Sequence, residues 1–208
     1  MKKFIVTIGR ECGSGGSTIG KLISQKLEIN YYDRNLLKLA SEDSGINEEL
    51  FYNADEKLKG SLLYKVSRKI YRGELIPPES DDFTSNKNLF NYQAKVLKEL
   101  AMRESYVVIG RCADFILKDY PNVIRAFVCA SKESCIAHES QRNSISYKEA
   151  SERVTRFNKY RREYYQFYTG NTWKDVRNYD LCINTDYLSY EDAAEMIITC
   201  LKMRLKDS

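Results

Sequence analysis

The chain has 208 residues, of which 43 % are hydrophobic and 30 % are charged, and its formal net charge is +4. This balance is typical of a globular protein, and the length suits one domain with one insertion. No apolar run approaches the roughly 20 residues that span a bilayer, and the N-terminal residues lack the apolar region of a signal peptide. The sequence therefore predicts a cytoplasmic protein that is not embedded in a membrane.

Six cysteines are scattered along the chain without a Cys-x-x-Cys pair. This spacing argues against a structural zinc site, and the absence of an export signal argues against a disulfide framework. We therefore expect reduced thiols. Cys12 lies in a glycine-rich stretch and is the candidate for a reactive thiol.

Short apolar runs alternate with helical patterns along the chain. The predicted strands cover residues 4–8, 31–33, 106–109, 124–128 and 180–184. The predicted helices cover residues 17–27, 34–44, 86–104, 132–143, 147–168 and 190–204. This alternation predicts an α/β domain with a mainly parallel sheet.

The segment at residues 45–85 does not follow the alternation. Its first part, residues 47–72, is polar and helix-prone, and a Gly-Glu-Leu-Ile-Pro-Pro breaker follows it. We interpret the segment as a helical insertion with a mobile connection, because long loops in compact domains are usually lids or binding elements. The alternative is a long surface loop without a binding role.

The predicted helix at residues 147–168 interleaves basic and aromatic residues. Positions 158, 161, 162 and 165 share one helical face, and several arginines therefore converge on one side. Such a face suits an anion, while a solvated charged face is the simpler interpretation. The tyrosines in this helix are expected to pack rather than to stack on bases.

The glycine-rich stretch at residues 13–18, Gly-Ser-Gly-Gly-Ser-Thr, links the first strand to a helix. Backbone N–H groups and a helix N-terminus at such a junction favour anions. A plain glycine turn is one interpretation. A dinucleotide site is a second, with Asp33 as the ribose acid, although Thr18 replaces the third glycine and His138 is the only histidine. A variant P-loop is the third, with Gly16 in place of its lysine.

Five short motifs occur in order over nearly the whole chain. They are residues 8–16 (IGRECGSGG), 32–34 (YDR), 109–114 (IGRCAD), 161–165 (RREYY) and 179–185 (YDLCINT). With these motifs the chain resembles the cytidylate kinase-like family within the P-loop kinase class. The resemblance implies a single domain with a three-layer P-loop kinase fold, in which helices flank a five-stranded parallel sheet. It also implies a helical acceptor-binding insertion at residues 45–85 and an arginine-rich lid at residues 147–170.

The resemblance further implies transfer of the ATP γ-phosphoryl group to CMP or a similar nucleoside monophosphate, with Mg²⁺. The residues that would bind the ATP phosphates are Arg10, Gly13, Ser14, Gly15, Gly16, Ser17 and Thr18, and Ser17 or Thr18 would lie near Mg²⁺. Arg111 would hold the acceptor phosphate, unless it only pairs with Asp114. Asp33 would hold acceptor or metal, unless it only caps the next helix. The lid arginines that would meet the transferring group are Arg156, Arg161 and Arg162.

Four positions depart from ordinary cytidylate kinases: Gly16 replaces the P-loop lysine, and Ile109, Cys112 and Asn158 stand where acids are expected. Two residues are candidates for the missing cation. Lys21 lies one helical turn beyond Ser17, about 6 Å along the axis, and its stem leans toward the helix N-terminus. Arg10 begins the loop.

These departures leave three other functions open. A nucleotide-binding sensor without catalysis is the main alternative, because the missing acids affect transfer more than binding. A dinucleotide-dependent oxidoreductase and a nucleic-acid-binding protein are less favoured. The modest net charge argues against nucleic acid as the partner.

Overall fold

A computed structural model describes residues 2–56 and 74–206. Five strands form one sheet in the order β2-β3-β1-β4-β5, and all four pairings are parallel. The strands are β1 (Ile5–Arg10), β2 (Asn30–Tyr32), β3 (Tyr106–Ile109), β4 (Val123–Cys129) and β5 (Leu181–Asn184). The predicted five-stranded parallel sheet is confirmed.

Helices lie between and after the strands, as the alternation predicts. The described helices are α1 (Gly16–Leu27), α2 (Asn35–Ser44), α3 (Glu48–Glu56), α4 (Asn86–Arg103), α5 (Ala113–Ile116), α6 (Lys132–Asn143), α7 (Tyr147–Thr169) and α8 (Tyr190–Lys206). The helices α1 and α8 pack together on one face of the sheet. On the other face, α2 and α4 pack together with α5.

Alternate side chains of the central strands supply two separate cores. In β3, Tyr106 and Val108 face the α2–α4 side, while Val107 and Ile109 face the α1–α8 side. All four side chains are fully buried. A parallel strand covered by helices on both faces has this continuous apolar character, which explains the apolar runs of the sequence. The layers are therefore helix, sheet and helix.

The described part of the insertion packs against the domain. In α3, the Phe51 side chain is fully buried in the core that α2 and α4 share. The helix α3 lies within the predicted insertion, whose residues 57–73 lie outside the described residues, so the insertion as a whole stays a prediction.

The connection between the insertion and α4 was predicted to be mobile, but hydrogen bonds from α4 hold it. The buried Asn88 side chain accepts a hydrogen bond from the Ile76 N–H and donates to the Ile76 and Phe83 carbonyl oxygens. Asn91 donates to the Glu74 carbonyl oxygen. Because buried amide groups need such partners, the two asparagines of α4 fix the returning chain.

The helix α7 is continuous over 23 residues, and its ends explain its limits. Ser146 and Glu149 form a reciprocal capping box at its start, and Gly170 ends it in a left-handed conformation with φ 74°. The first part of α7 packs against α6, and Tyr164 and Tyr168 nearer its end pack against Phe90 of α4. The predicted lid segment is thus one continuous helix. No helix among residues 2–56 and 74–206 is long and apolar enough to cross a membrane.

Candidate functional site

The motifs identified in the sequence meet at the carboxyl edge of the sheet. The glycine loop follows β1, Asp33 follows β2, and the segment beginning at Gly110 follows β3. The strands are parallel, so their carboxyl ends point to the same side, where open α/β sheets bind their ligands. These three segments therefore lie at one edge of the sheet.

The glycine loop has a backbone that only glycine tolerates. Gly13 and Gly15 have φ of +82° and +83°. A Cβ atom on Gly13 would lie 2.8 Å from the Cys135 carbonyl carbon, and one on Gly15 would lie 2.9 Å from a ring carbon of Tyr190. Both the left-handed φ values and the close neighbours require glycine at these positions.

Ser14 holds this loop from inside. Its hydroxyl is fully buried and lies 3.0 Å from the carbonyl oxygens of Glu11 and Val128. The Thr185 hydroxyl donates to the Ser14 carbonyl oxygen at 3.0 Å. The loop is thus held by hydrogen bonds within the protein. The side chain of Ser14 points into the fold, away from the cavity described next.

A cavity of about 260 Å³ lies over this loop and the first turn of α1. The predicted ATP-binding residues that line it are Arg10, Gly13, Gly15, Gly16, Ser17 and Thr18. The first N–H groups of a helix have no partner within the helix, and they attract anions together with the helix dipole. The loop and the helix N-terminus on this side of the cavity are therefore suited to an anion.

The sequence did not identify the opposite wall of this cavity, which α6 and α8 supply. The His138 ring nitrogen Nδ1 lies 2.9 Å from the Gly13 carbonyl oxygen and 3.1 Å from the Tyr190 hydroxyl. Glu139, Gln141 and Arg142 also line the wall. A single histidine in a helix carries no sequence signal for this role, because only the packing of α6 against the loop brings it there.

A second cavity of about 510 Å³ adjoins the first. It combines a cationic side with an aromatic side. The charged residues of its lining are Arg10, Asp33, Arg34, Arg111, Asp114, Arg156 and Arg161, and its aromatic residues are Phe157, Tyr160, Tyr164, Tyr165 and Trp173. Such a lining suits an anionic ligand that carries a flat ring. Of these residues, the sequence identified Arg10, Asp33, Arg111, Arg156 and Arg161 as candidates.

A strained turn brings Arg111 to this cavity. Gly110, Arg111 and Cys112 follow β3 with φ of +69°, +62° and +54°. Each non-glycine residue in this left-handed region costs roughly 1–2 kcal/mol. Strain of this kind is concentrated at functional sites. The turn directs Arg111 into the cavity, and this backbone conformation cannot be recognised from the sequence.

The Asp114 carboxyl group lies buried at the wall of the same cavity. It accepts a hydrogen bond of 2.6 Å from the Tyr165 hydroxyl. Burial raises the pKa of Asp114 to about 6, against the lowering effect of Tyr165 and of the nearby Arg125. This hydrogen bond gives Asp114 a partner on α7.

The two cavities share two arginines. Arg10 and Arg161 line both of them. Arg161 donates from Nη1 to the Arg10 carbonyl oxygen at 3.1 Å, and the Arg10 guanidinium lies 3.7 Å from the Asp33 carboxylate. Asp33 is not the side-chain cap of α2, because that helix begins after Arg34 without a side-chain cap. A charged group held between two cavities is positioned to contact a ligand in each.

The helix α7 is docked on the glycine loop. The Asn158 side-chain oxygen accepts a 2.7 Å hydrogen bond from the Cys12 N–H group. Arg153, by contrast, pairs with Glu139 at 2.8 Å. The arginines of α7 therefore do not all face one anion, although Arg156 and Arg161 both line the larger cavity.

Three sequence expectations look different in the structure. Lys21 lies on the exposed side of α1 with its ammonium group 6.0 Å from the centroid of the Tyr31 ring, and Arg162 is exposed on α7. Both lie outside the linings of the two cavities. Cys12 is buried, and burial raises the pKa of its thiol to about 11, so the expectation of a reactive thiol was wrong.

The residues present fit a magnesium ion that arrives with phosphates. Among the described residues, no group of three or more His, Cys, Asp or Glu side chains could hold a metal ion by itself. Mg²⁺ is usually held by one or two protein oxygens together with substrate phosphates. The hydroxyl-bearing residues Ser17 and Thr18 line the smaller cavity and could supply such oxygens.

The aromatic residues of α7 bear on the nucleic-acid alternative. Tyr164, Tyr165 and Tyr168 are buried, and Tyr168 stacks on Phe90 with ring centroids 4.0 Å apart. Bases cannot stack on rings that are already packed in the core. The expectation that these tyrosines pack is confirmed.

Comparisons with known proteins agree with this geometry. The sequence model of the cytidylate kinase-like family matches residues 5–187. A cytidylate kinase of Sulfurisphaera tokodaii is 24 % identical over 204 residues, which are 97 % of this chain and 97 % of that protein.

Two solved structures show the same fold. An uncharacterized protein from Eubacterium ventriosum is 27 % identical with a TM-score of 0.71, over 96 % of this chain and 99 % of that chain. A shikimate kinase from Acinetobacter baumannii in complex with shikimate is 13 % identical with a TM-score of 0.51, over 97 % and 93 % of the two chains. The predicted P-loop kinase fold is confirmed.

Proposed function

The chain belongs to the cytidylate kinase-like family, and from this premise we propose that it transfers the γ-phosphoryl group of ATP to CMP or a similar nucleoside monophosphate. One observation carries the proposal. Two adjoining cavities, one over the glycine loop and one with a cationic and aromatic lining, share Arg10 and Arg161. A phosphoryl group that moves between two nucleotides needs such a shared boundary.

The smaller cavity would hold the phosphates of ATP. The backbone at Gly13, Gly15 and Gly16 would approach the phosphate oxygens closely, and the N-terminus of α1 would favour their charge. Ser17 or Thr18 would contribute a hydroxyl oxygen to Mg²⁺, which when bound neutralises charge on the phosphates. Ser14 would support this site from within the fold, through its hydrogen bonds to the loop.

The larger cavity would hold the acceptor. Arg111 would orient the acceptor phosphate, because a guanidinium can grip two phosphate oxygens at once. The half-buried rings of its lining, Phe157 and Tyr160, would pack against the base. Asp33 would contact the acceptor or hold Arg10 in place, as its 3.7 Å ion pair indicates.

The arginines of α7 would stabilise the charge that develops during transfer. Arg161 is the best placed, since it lines both cavities, and Arg156 lines the larger one. The roles of Arg162 and Lys21 stay predictions, and each requires its side chain to move from its position in this structure. Transfer of this kind depends mostly on positioning and on neutralisation of charge.

A second candidate function is nucleotide binding without transfer. Gly16 provides no side chain at the position of the P-loop lysine, and Asn158 instead of an acid contacts the loop. A protein of this kind would bind ATP and signal through α7 instead of releasing ADP.

Coupled ADP release tests the two candidates. The purified chain is assayed with ATP, Mg²⁺ and a panel of nucleoside monophosphates, beside Arg111→Ala. We expect CMP or a related monophosphate to stimulate turnover and Arg111→Ala to reduce it at least about 100-fold. Arg177→Ala removes the same charge at an exposed surface position and is the matched control. Tight ATP binding without turnover for any monophosphate would select the non-catalytic candidate.

A further inference from the structure

The P-loop motif and this chain differ by an exchange of two residues. The motif is G-x-x-x-x-G-K-[ST]. With Gly15 as its second glycine and Ser17 as its last residue, Gly16 takes the position of the lysine and Arg10 takes the position of the first glycine. The cation and one glycine have therefore changed places across the loop.

The packing shows why the two positions depend on each other. A Cβ atom on Gly16 would lie 2.5 Å from Cβ of Arg10 and 3.0 Å from its Cγ. Real Cβ atoms do not approach other heavy atoms that closely, so only one of the two positions can carry a side chain. The ordinary motif gives the side chain to the lysine position, and this chain gives it to Arg10.

The rest of the Arg10 side chain follows a defined path to the boundary between the cavities. It passes Gly110, where an added Cβ would overlap the Arg10 Nη1 atom. Its guanidinium ends 3.7 Å from the Asp33 carboxylate, and the side chain is only 17 % exposed. Glycine at position 110 therefore serves Arg10 as well as the left-handed turn.

We propose that Arg10 carries the phosphate-binding charge that the P-loop lysine carries elsewhere, and that Gly16 is the compensating half of this exchange. The assignment rests on the proposed function only in that the smaller cavity binds the phosphates of ATP. Because Arg10 lines both cavities, its planar fork contacts the ATP phosphates and the incoming acceptor together. A lysine has a single ammonium group and cannot present two separate sets of N–H donors to two phosphates.

Reversal of the exchange tests the proposal. The affinity of the full chain for a non-hydrolysable ATP analogue with Mg²⁺ is measured by titration calorimetry, without any acceptor. Arg10→Gly is expected to weaken binding about 10- to 100-fold, as for a lost charge-assisted hydrogen bond. Gly16→Lys alone weakens binding as well, because its Cβ meets Arg10. The double variant Arg10→Gly/Gly16→Lys restores the ordinary motif and recovers affinity to within a few-fold of the wild-type chain.

A matched pair of double variants sharpens the test. Arg10→Ala/Gly16→Lys carries the same lysine, but the alanine keeps at position 10 the Cβ atom that lies 2.5 Å from one added at position 16. This variant is expected to stay weak, while Arg10→Gly/Gly16→Lys recovers. Thermal unfolding of each protein checks that the fold is kept, and Arg177→Ala is the control for loss of one positive charge.

The outcomes separate this proposal from the proposed function. Three results would overturn the role of Arg10. They are wild-type affinity of Arg10→Gly for the analogue, no recovery of affinity in Arg10→Gly/Gly16→Lys, and a loss of affinity in Lys21→Ala alone. If the double variant recovers binding but the wild-type chain turns over no monophosphate, the exchange is supported and only the proposed kinase activity is contradicted. Failure of the wild-type chain to bind the analogue would overturn both.

Discussion

At the scale of single residues, Gly13 and Gly45 share a left-handed backbone but differ in their surroundings. Their φ values are +82° and +70°. A Cβ atom on Gly13 would meet the backbone of Cys135, while nothing lies within 4 Å of one on Gly45. We expect Gly45→Ala to lower the free energy of unfolding by roughly 1–2 kcal/mol, the cost of the backbone conformation alone.

Gly13→Ala should lower the free energy of unfolding by about 2 kcal/mol more than Gly45→Ala does. The reason is that the Cys135 backbone next to Gly13 cannot move aside as a flexible side chain can. Urea unfolding of the two variants beside the wild-type chain measures the difference. Equal losses would mean that the glycine loop is not fixed against α6. The analogue should also bind Gly13→Ala more weakly, while Gly45→Ala keeps its affinity.

The buried carboxyl group of Asp114 predicts a dependence of stability on pH. Burial raises its pKa to about 6 in the folded chain, above the value in the unfolded chain. The folded chain therefore holds this proton more tightly, and the stability that it contributes is present below about pH 4 and is lost as the pH rises through about 6. Between about pH 4.5 and 7.5 the wild-type chain should lose about 2 kcal/mol relative to Asp114→Asn.

Urea unfolding of both proteins at the two pH values measures this change. Asn keeps the size of the side chain and an acceptor for the Tyr165 hydroxyl, so the comparison isolates the titration. Parallel changes in the two proteins would show that Asp114 does not titrate in this range. Arg125, which lowers the pKa of Asp114, is unchanged in both proteins.

At the scale of elements, α7 is held on the glycine loop by Asn158. This residue stands where an acid was expected, and the structure gives it the role of accepting the Cys12 N–H at 2.7 Å. We expect Asn158→Ala to increase hydrogen exchange at the Cys12 amide, because α7 then loses one of its contacts with the loop. Asn158→Asp keeps an acceptor oxygen and should leave the exchange close to that of the wild-type chain.

Amide exchange followed by NMR distinguishes these variants. Glu163 lies on the same helix away from Cys12 and pairs with Lys159, so Glu163→Gln is a suitable control. Equal protection of Cys12 in Asn158→Ala and in the wild-type chain would show that the docking of α7 does not depend on this hydrogen bond.

The elements differ in how well the sequence predicted them. The helix α6 has the predicted limits, residues 132–143, because a serine cap and helical periodicity mark it. The helix α5 has only four residues, which is too short for a periodic pattern. The connection before α4 was interpreted as mobile because of its Gly-Glu-Leu-Ile-Pro-Pro breaker. The buried Asn88 that holds it looks like a solvated asparagine in a sequence.

At the scale of the whole molecule, the sequence could predict which segments reach the site but not how their side chains meet. Parallel strands bring the glycine loop, Asp33 and Arg111 to one edge, and this much follows from strand–helix alternation. The position of Arg10 between two cavities depends on its contacts with Gly16 and Gly110. Neither contact can be recognised from the sequence, because both depend on how the folded backbone brings these glycines next to the Arg10 side chain. His138 and Trp173 are part of the linings for the same reason.

The division into two cavities predicts how ligands stabilise the whole chain. A ligand at about 100 times its Kd adds about 2.7 kcal/mol to the free energy of unfolding. For a domain of this length, each kcal/mol raises Tm by about 2–4 °C, so Mg²⁺-ATP should raise Tm by roughly 5–10 °C. CMP should add a further increase, because it would occupy the other cavity.

Arg111 lines only the larger of the two described cavities. Arg111→Ala should therefore abolish the increase in Tm that CMP causes and keep the increase that Mg²⁺-ATP causes. Arg10→Gly should reduce both, because Arg10 lines both cavities. Thermal unfolding with each ligand alone and with the two together measures these shifts. If Arg111→Ala lost the ATP-dependent shift as well, the two cavities would act as one site, and separate binding of donor and acceptor would have to be abandoned.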